Sequence, residues 1–191
     1  MKKSIGSILL GKWDTKTIVG IAIGSALFGV LMCFGGIKVT TNTSLTSAYI
    51  VLPVVGALFG PLPAALTGLI GNTIAALIGG WGFWFDWSFG NAVAGFFCGL
   101  LPLYGAVIED GVFSVKHAII YCITCIVGVG IGFGLVTPLL TVLFYSSELT
   151  VTWVQAYAAI LSDSTVLIIV GLPVLFALAK RNARGQGLSK E

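Results

Sequence analysis

Residues 17–36 read TIVGIAIGSALFGVLMCFGG, a run without one charged side chain. A helix of about 20 such residues reaches across the hydrocarbon layer of a bilayer, which is ~30 Å thick. A run like this sits either inside a large protein or inside a membrane. The rest of the chain decides between them. Of its 191 residues, 57% are hydrophobic and only 9% are charged, whereas a soluble domain carries about 25% charged residues. So few charges cannot cover a water-soluble ball of this size, and lipid must serve as solvent. The formal net charge of +3 is then a topology signal. It does not mark a nucleic-acid partner.

Further apolar runs follow at 45–59, 62–78, 88–108, 118–144 and 152–179. GPLP at 60–63 separates the second run from the third, because proline lacks an N–H and clashes inside a helix. Pro138 predicts a kink in the fifth. The expected fold class is an all-α integral membrane protein with about six transmembrane helices. Residues 1–191 form one domain, with a cytoplasmic or interfacial segment at 1–16 and a basic cytoplasmic tail at 180–191. The start, MKKSIGSILLGKWD, superficially resembles a signal peptide, but its apolar part is short and no small-residue cleavage site follows. It reads as a retained segment, with Lys12 and Trp13 suited to the headgroup layer. No internal repeat is evident, so the inverted-repeat plan of many transporters gains no support.

Six spans put both termini on one side. That side holds Lys2, Lys3, Lys12, Lys16, Lys116, Lys180, Arg181, Arg184 and Lys190, and the other holds Lys38. The bias makes both termini cytoplasmic. Three segments fall outside: KVTTNTS (38–44), WGFWFDW (81–87) and YSSELTV (145–151). Together they are expected to roof one outward cavity.

Asp163 stands within the sixth run, where a carboxylate at mid-membrane costs about 3 kcal/mol on insertion scales. It is either a polar contact in a substrate pocket, a hydrogen-bonding group between helices, or a residue near water at the end of a shorter span. Asn42, Thr43 and Ser44 suit a helix N-cap and equally a cavity mouth. Asn72 and Asn91 each need a partner in hydrocarbon, and either a ligand or a neighbouring helix supplies it. Trp81, Trp84 and Trp87 cluster in one loop with Asp86, whereas an interfacial belt scatters tryptophans over several helix ends. Such a loop either lies in the interface or covers and stacks on a planar ligand. In the first run, Ala22 and Ala26 are four apart, as are Gly20 and Gly24. Small residues at that spacing let helices approach closely, within this chain or against another subunit.

Cys122 and Cys125 form a C-x-x-C near His117. A metal site needs about four ligands, and this pair faces a run of Ile, Val and Gly, so the cysteines read as small apolar fillers. No metal or cofactor is expected. The chain lacks a Walker A loop, H-E-x-x-H and G-x-S-x-G. Its single histidine and sparse acids (Asp163, Asp86, Glu109) give a membrane enzyme little to work with.

AIGSA (22–26), NTSLTSAY (42–49), LFGPLPAALTGLIGN (58–72) and WGFWFDWSFGN (81–91) occur in an order that resembles the S components of energy-coupling factor (ECF) type vitamin transporters. The resemblance runs nearly the full length and is closest to CbrT-type S components. It implies a substrate-binding subunit, not an enzyme, in a bacterial cytoplasmic membrane. It implies as partners a transmembrane coupling subunit of the EcfT type and two ATPase subunits of the EcfA type. Ala22 and Ala26 would form the docking surface. Tyr49, Asn42, Thr43, Asn72, Trp84, Asp86, Trp87, Asn91 and Asp163 would line the substrate site, with Asp163 at a position where an amide is expected. Cobalamin is the implied ligand. The alternatives are a thiamine-related vitamin, a pyrimidine or a thiazole, and, from another class, a self-contained membrane enzyme or channel.

Overall fold

The computed structural model describes residues 5–38, 44–146 and 149–188. A short helix α1 (Ile5–Leu10) leads into α2 (Thr15–Phe34). The Asp14 side chain caps α2, accepting from the Thr17 amide at 2.9 Å and the Thr17 hydroxyl at 3.0 Å. These bonds, the backbone one first, hold the Asp14 carboxyl below its usual pKa, with Lys12 adding a smaller share.

After α2 the chain forms a small hairpin, which the sequence reading did not anticipate. β1 (Gly36–Lys38) pairs antiparallel with β2 (Ser44–Thr46), Ile37 opposite Leu45. The hairpin is pinned to the end of α2. Thr46 Oγ1 donates to the Leu31 carbonyl at 2.8 Å, and Ser47 Oγ to Gly35 at 2.9 Å. A 3-10 turn (Ser47–Ile50) then runs straight into α3 (Val51–Phe59).

Gly60, at φ 98°, separates α3 from α4 (Pro61–Gly79), as GPLP predicts. The tryptophan loop leads to α5 (Phe85–Cys98). The expected fourth span, 88–108, is corrected here. The helix starts at Phe85 and stops at Cys98, and residues 101–104 and 108–110 form 3-10 turns. Pro102 cannot donate to a continuing helix, and Gly105 and Gly111 turn the chain at positive φ.

Two long helices complete the bundle. The first comprises α6 (Val115–Ile131), a π turn (Gly132–Val136) and α7 (Thr137–Tyr145). The second comprises α8 (Leu149–Val166), a π turn (Leu167–Gly171) and α9 (Leu172–Leu188). Each π turn lies just ahead of a proline, Pro138 or Pro173. A helical proline cannot donate to the carbonyl four residues back, Gly134 or Ile169, and its ring crowds that carbonyl. Widening the helix there absorbs both problems, so the irregularity expected at Pro138 takes the form of a π turn. α9 also runs on past Ala179 and carries Lys180, Arg181 and Arg184 in its second half.

Among the described residues, four helices are long and apolar enough to cross a membrane: Thr15–Phe34, Pro61–Gly79, Val115–Tyr145 and Thr150–Gly185. The shorter helices Ser47–Phe59 and α5 complete the helical set between them. Lipid is as apolar as leucine, so close contact, not dehydration, must hold such helices together. α4 lies at the centre, against α2 and α5. Gly68 on α4 shows how tight the fit is. A Cβ there would stand 2.4 Å from the Asn91 carbonyl oxygen, so glycine lets α5 approach and sets where Asn91 lies. The buried core runs through Phe28, Tyr49, Leu52, Tyr121 and Phe133.

Candidate functional site

Tyr49, Asn91 and Asp163 come together from three separate segments. All are buried, at 2%, 1% and 3% exposure. Tyr49 stands on the 3-10 turn after the hairpin, so the pinning of Thr46 and Ser47 to α2 fixes its place. Its ring meets Phe28 edge-on, with centroids 5.6 Å apart. The side chains of Asp163 and Asn91 are polar neighbours of the Tyr49 hydroxyl. Asp163 Oδ1 accepts from Ser162 Oγ at 3.2 Å. Asn91 Nδ2 donates to the Trp87 carbonyl at 3.0 Å, while Asn91 Oδ1 has no partner among the described residues. The Trp87 ring lies 5.6 Å from that of Phe133, on the first π turn.

Depth follows from the helices. Thr150–Gly185 spans 36 residues, about 54 Å at 1.5 Å per residue, so its ends project beyond the hydrocarbon. Asp163 lies about one turn from its middle, toward α7 and the tryptophan loop. That end carries the hairpin, the loop and Tyr145, and the charge bias assigns it to the outside. It is called the outer end below.

The tryptophan loop caps this end. Gly80 and Gly82 take φ of 66° and 84°, a left-handed backbone that other residues adopt only with strain. This keeps residues 80–84 out of α5. Trp84 Nε1 donates to the Trp81 carbonyl at 2.9 Å. Tyr145 ties the loop to α7. Its hydroxyl donates to the Phe83 carbonyl and accepts from the Phe85 amide, both at 3.1 Å.

The remaining expected site residues lie apart from the network. Asn72 donates to Ser88 Oγ at 3.0 Å, which stitches α4 to α5. Asp86, fully buried, accepts from Thr141, and its backbone carbonyl accepts from Thr137 at 3.1 Å. It therefore joins α5 to α7, and its Oδ1 lacks a partner among the described residues. Trp84 is 40% exposed and stacks on Tyr145. Asn42 and Thr43 lie outside the described residues. Sequence reasoning missed Phe28, Phe133, Ser162 and Tyr145. The first two sit in unbroken apolar runs that carry no signal. Tyr145 had one, an aromatic at a span end beside a polar turn, but its partner is some 60 residues away.

Ala22 and Ala26 are exposed on α2, whereas Gly24, Ser25, Phe28 and Gly29 face inward. Gly20 and Gly24 pack inside the protein, against Phe59 and against Val55 and Thr67. The two small-residue pairs thus serve different faces. Cys125 meets Cys98, their sulfurs 3.3 Å apart, in the buried core. Its C-x-x-C neighbour Cys122 is only partly buried. His117 caps α6 through Nδ1, which accepts from the Ser114 amide at 3.2 Å, at the end opposite the network.

Residues 12–180 match the family described as ECF-type riboflavin transporter, S component. A UPF0397 protein of Aliivibrio salmonicida (strain LFI1238) is 37% identical over 180 residues, covering 93% of this chain and 97% of the relative. A UPF0397 protein of Aliivibrio fischeri (strain MJ11) is 35% identical over the same length and coverage. A crystal structure of FolT bound with folic acid is similar with a TM-score of 0.59 at 18% identity, over 88% of this chain and 95% of that one. At that identity the likeness shows the fold.

Proposed function

The chain belongs to the family of ECF-type riboflavin transporter S components, and on that premise we propose that it captures a vitamin at its outer end and hands it to an ATP-driven coupling module. S components are membrane subunits of transporters and not enzymes. The chain is accordingly a multi-pass protein of a bacterial cytoplasmic membrane and serves a vitamin-like substrate.

One observation carries the binding reading. Tyr49, Asn91 and Asp163 form a buried polar group below the tryptophan loop. An ionisable residue inside a membrane, here Asp163, costs free energy and is a functional-site candidate by default. The Trp87 and Phe133 rings lie 5.6 Å apart, and aromatic faces of this kind suit a planar heterocycle.

Two substrates are proposed. Riboflavin follows from the family's description. Cobalamin follows from the ordered loop motifs read in the sequence. Calorimetric titration of the purified chain with riboflavin, cobalamin, folic acid and thiamine tests the reading. Saturable binding of one vitamin is expected, and heat from none of them would overturn it.

The exposed pair Ala22 and Ala26 is proposed to meet a coupling subunit of the EcfT type, which rests on two ATPase subunits of the EcfA type. Small side chains there give a smooth face, suited to a contact that must form and release.

A further inference from the structure

We infer that a groove between α7 and α8 is a lipid site that seats one acyl chain of a bilayer phospholipid. The site is separate from the vitamin site and does not depend on it.

The groove has a volume of about 270 Å³. On one side Gly134, Pro138 and Val142 line it at four-residue spacing, with Leu135, Leu139 and Leu143 as the adjacent row. Trp153 of α8 lines the other side. The hollow has a local cause. Gly134 lies in the π turn that precedes Pro138 and brings no side chain. Neighbouring glycines are packed tight: a Cβ at Gly132 would stand 2.5 Å from the Gly90 carbonyl oxygen. A Cβ at Gly134 would meet nothing nearer than Ile160 Cδ1 at 3.5 Å. Helix contact therefore does not require glycine at 134, and the space it leaves lies open.

Three observations choose the occupant. A held water needs two to four polar partners, and the lining side chains offer one polar group, the Trp153 indole N–H. An empty groove would forfeit dispersion contacts along its walls. Leu135, Leu139 and Leu143 are 53%, 61% and 73% exposed on a helix long and apolar enough to cross the membrane, so lipid chains bathe this face. Size then separates a lipid chain from a partner's helix. From Gly134 to Leu143 the groove runs about 13.5 Å at 1.5 Å per residue. Its volume over that length gives a section of about 20 Å². A helix ~10 Å across presents about 80 Å², so a single extended chain fits and a helix does not. Spanning helices tilt on average only about 20° from the bilayer normal, which lays the groove along the lipid chains. Trp153 stands near the start of α8 at the outer end, where an indole suits the headgroup layer.

Native mass spectrometry of the full chain in dodecyl maltoside, titrated with dioleoyl phosphatidylcholine, tests the site. One tightly held lipid per chain is expected. Gly134→Leu fills the groove and should weaken that binding at least about tenfold. Gly130→Leu adds the same bulk one turn earlier, where a Cβ meets open space, and should bind lipid as wild type does. Phosphatidylcholine with brominated acyl chains locates the lipid: it should quench the fluorescence of the wild-type chain, and much of that quenching should vanish in Trp153→Phe. If Gly134→Leu does not fold, the quenching comparison still decides. Absence of a held lipid in the wild-type chain overturns the site. So does equal binding by wild type and Gly134→Leu, equal loss in both glycine variants, or quenching that Trp153→Phe leaves unchanged.

Discussion

The Trp84 ring lies 4.7 Å from the Tyr145 ring, centroid to centroid, and the Tyr145 hydroxyl bridges the backbone on either side of Trp84. One side chain at the end of α7 thus holds the tryptophan loop through two hydrogen bonds and a stack. Tyr145→Phe keeps the stack and removes both bonds. A net hydrogen bond is worth about 1 kcal/mol, so local opening of residues 80–85 should become roughly fivefold or more easier. Hydrogen exchange of that segment should speed up accordingly, with α4 unchanged. An unaltered exchange rate would show that the ring stack alone holds the loop.

Tyr49 and Asp163 support each other in the buried group. Tyr49→Phe removes the hydroxyl beside the Asp163 carboxyl, and a buried polar atom left unsatisfied costs about 1–3 kcal/mol. Thermal stability should fall and vitamin affinity should weaken. Asp163→Asn retains shape and hydrogen bonding but alters the acceptor set, so its main effect should be on affinity. Titration and melting of both variants separate these outcomes. Unchanged affinity with lower stability in both would assign the pair to helix packing.

Ala22 and Ala26 offer a cleaner separation. Both are exposed, so Ala22→Trp or Ala26→Trp should leave the melting temperature and ligand binding of the isolated chain close to wild type. Uptake by the reconstituted transporter should be lost. Loss of ligand binding by the isolated variant would move these residues from a docking face to a packing role.

Asp14 predicts a pH dependence at the cytoplasmic end of α2. Its carboxyl pKa is lowered in the folded chain by the Thr17 hydrogen bonds. A group whose folded pKa is depressed contributes stability above its unfolded pKa, and that contribution fades as pH falls through the folded value. Melting temperatures should therefore decline below about pH 4, the ordinary aspartate range. Asp14→Asn, which keeps the cap acceptor and cannot titrate, should flatten that part of the curve. An identical acid limb in the variant would exclude Asp14 as its source.

Several features were legible because they are local. The apolar run in α2, the GPLP break between α3 and α4, and the glycine-loosened start of the tryptophan segment depend on residues within a few positions of one another. The end of α5 was read too far along because 88–108 carries no charged residue. Hydropathy registers solvent, and it cannot tell a helix from the apolar 3-10 turn at 101–104 that follows Cys98. The hairpin of β1 and β2 was hidden for the opposite reason. Its strands are three residues each, and they are held by Thr46 and Ser47 reaching back to α2.

The site shows the same division. Asp163, Asn91 and Tyr49 could each be suspected, since a polar group in an apolar run is costly wherever it ends up. The structure alone decided that these three meet, while Asn72 and Asp86 bind other helices. The chain by itself determined that this is a helical membrane protein with small residues on α2 and a tryptophan loop outside, because lipid solvation and backbone hydrogen bonding act on every segment separately. Which polar residues share one buried group was decided by helix packing, through contacts such as Gly68 against Asn91, where a Cβ would stand 2.4 Å from the carbonyl oxygen.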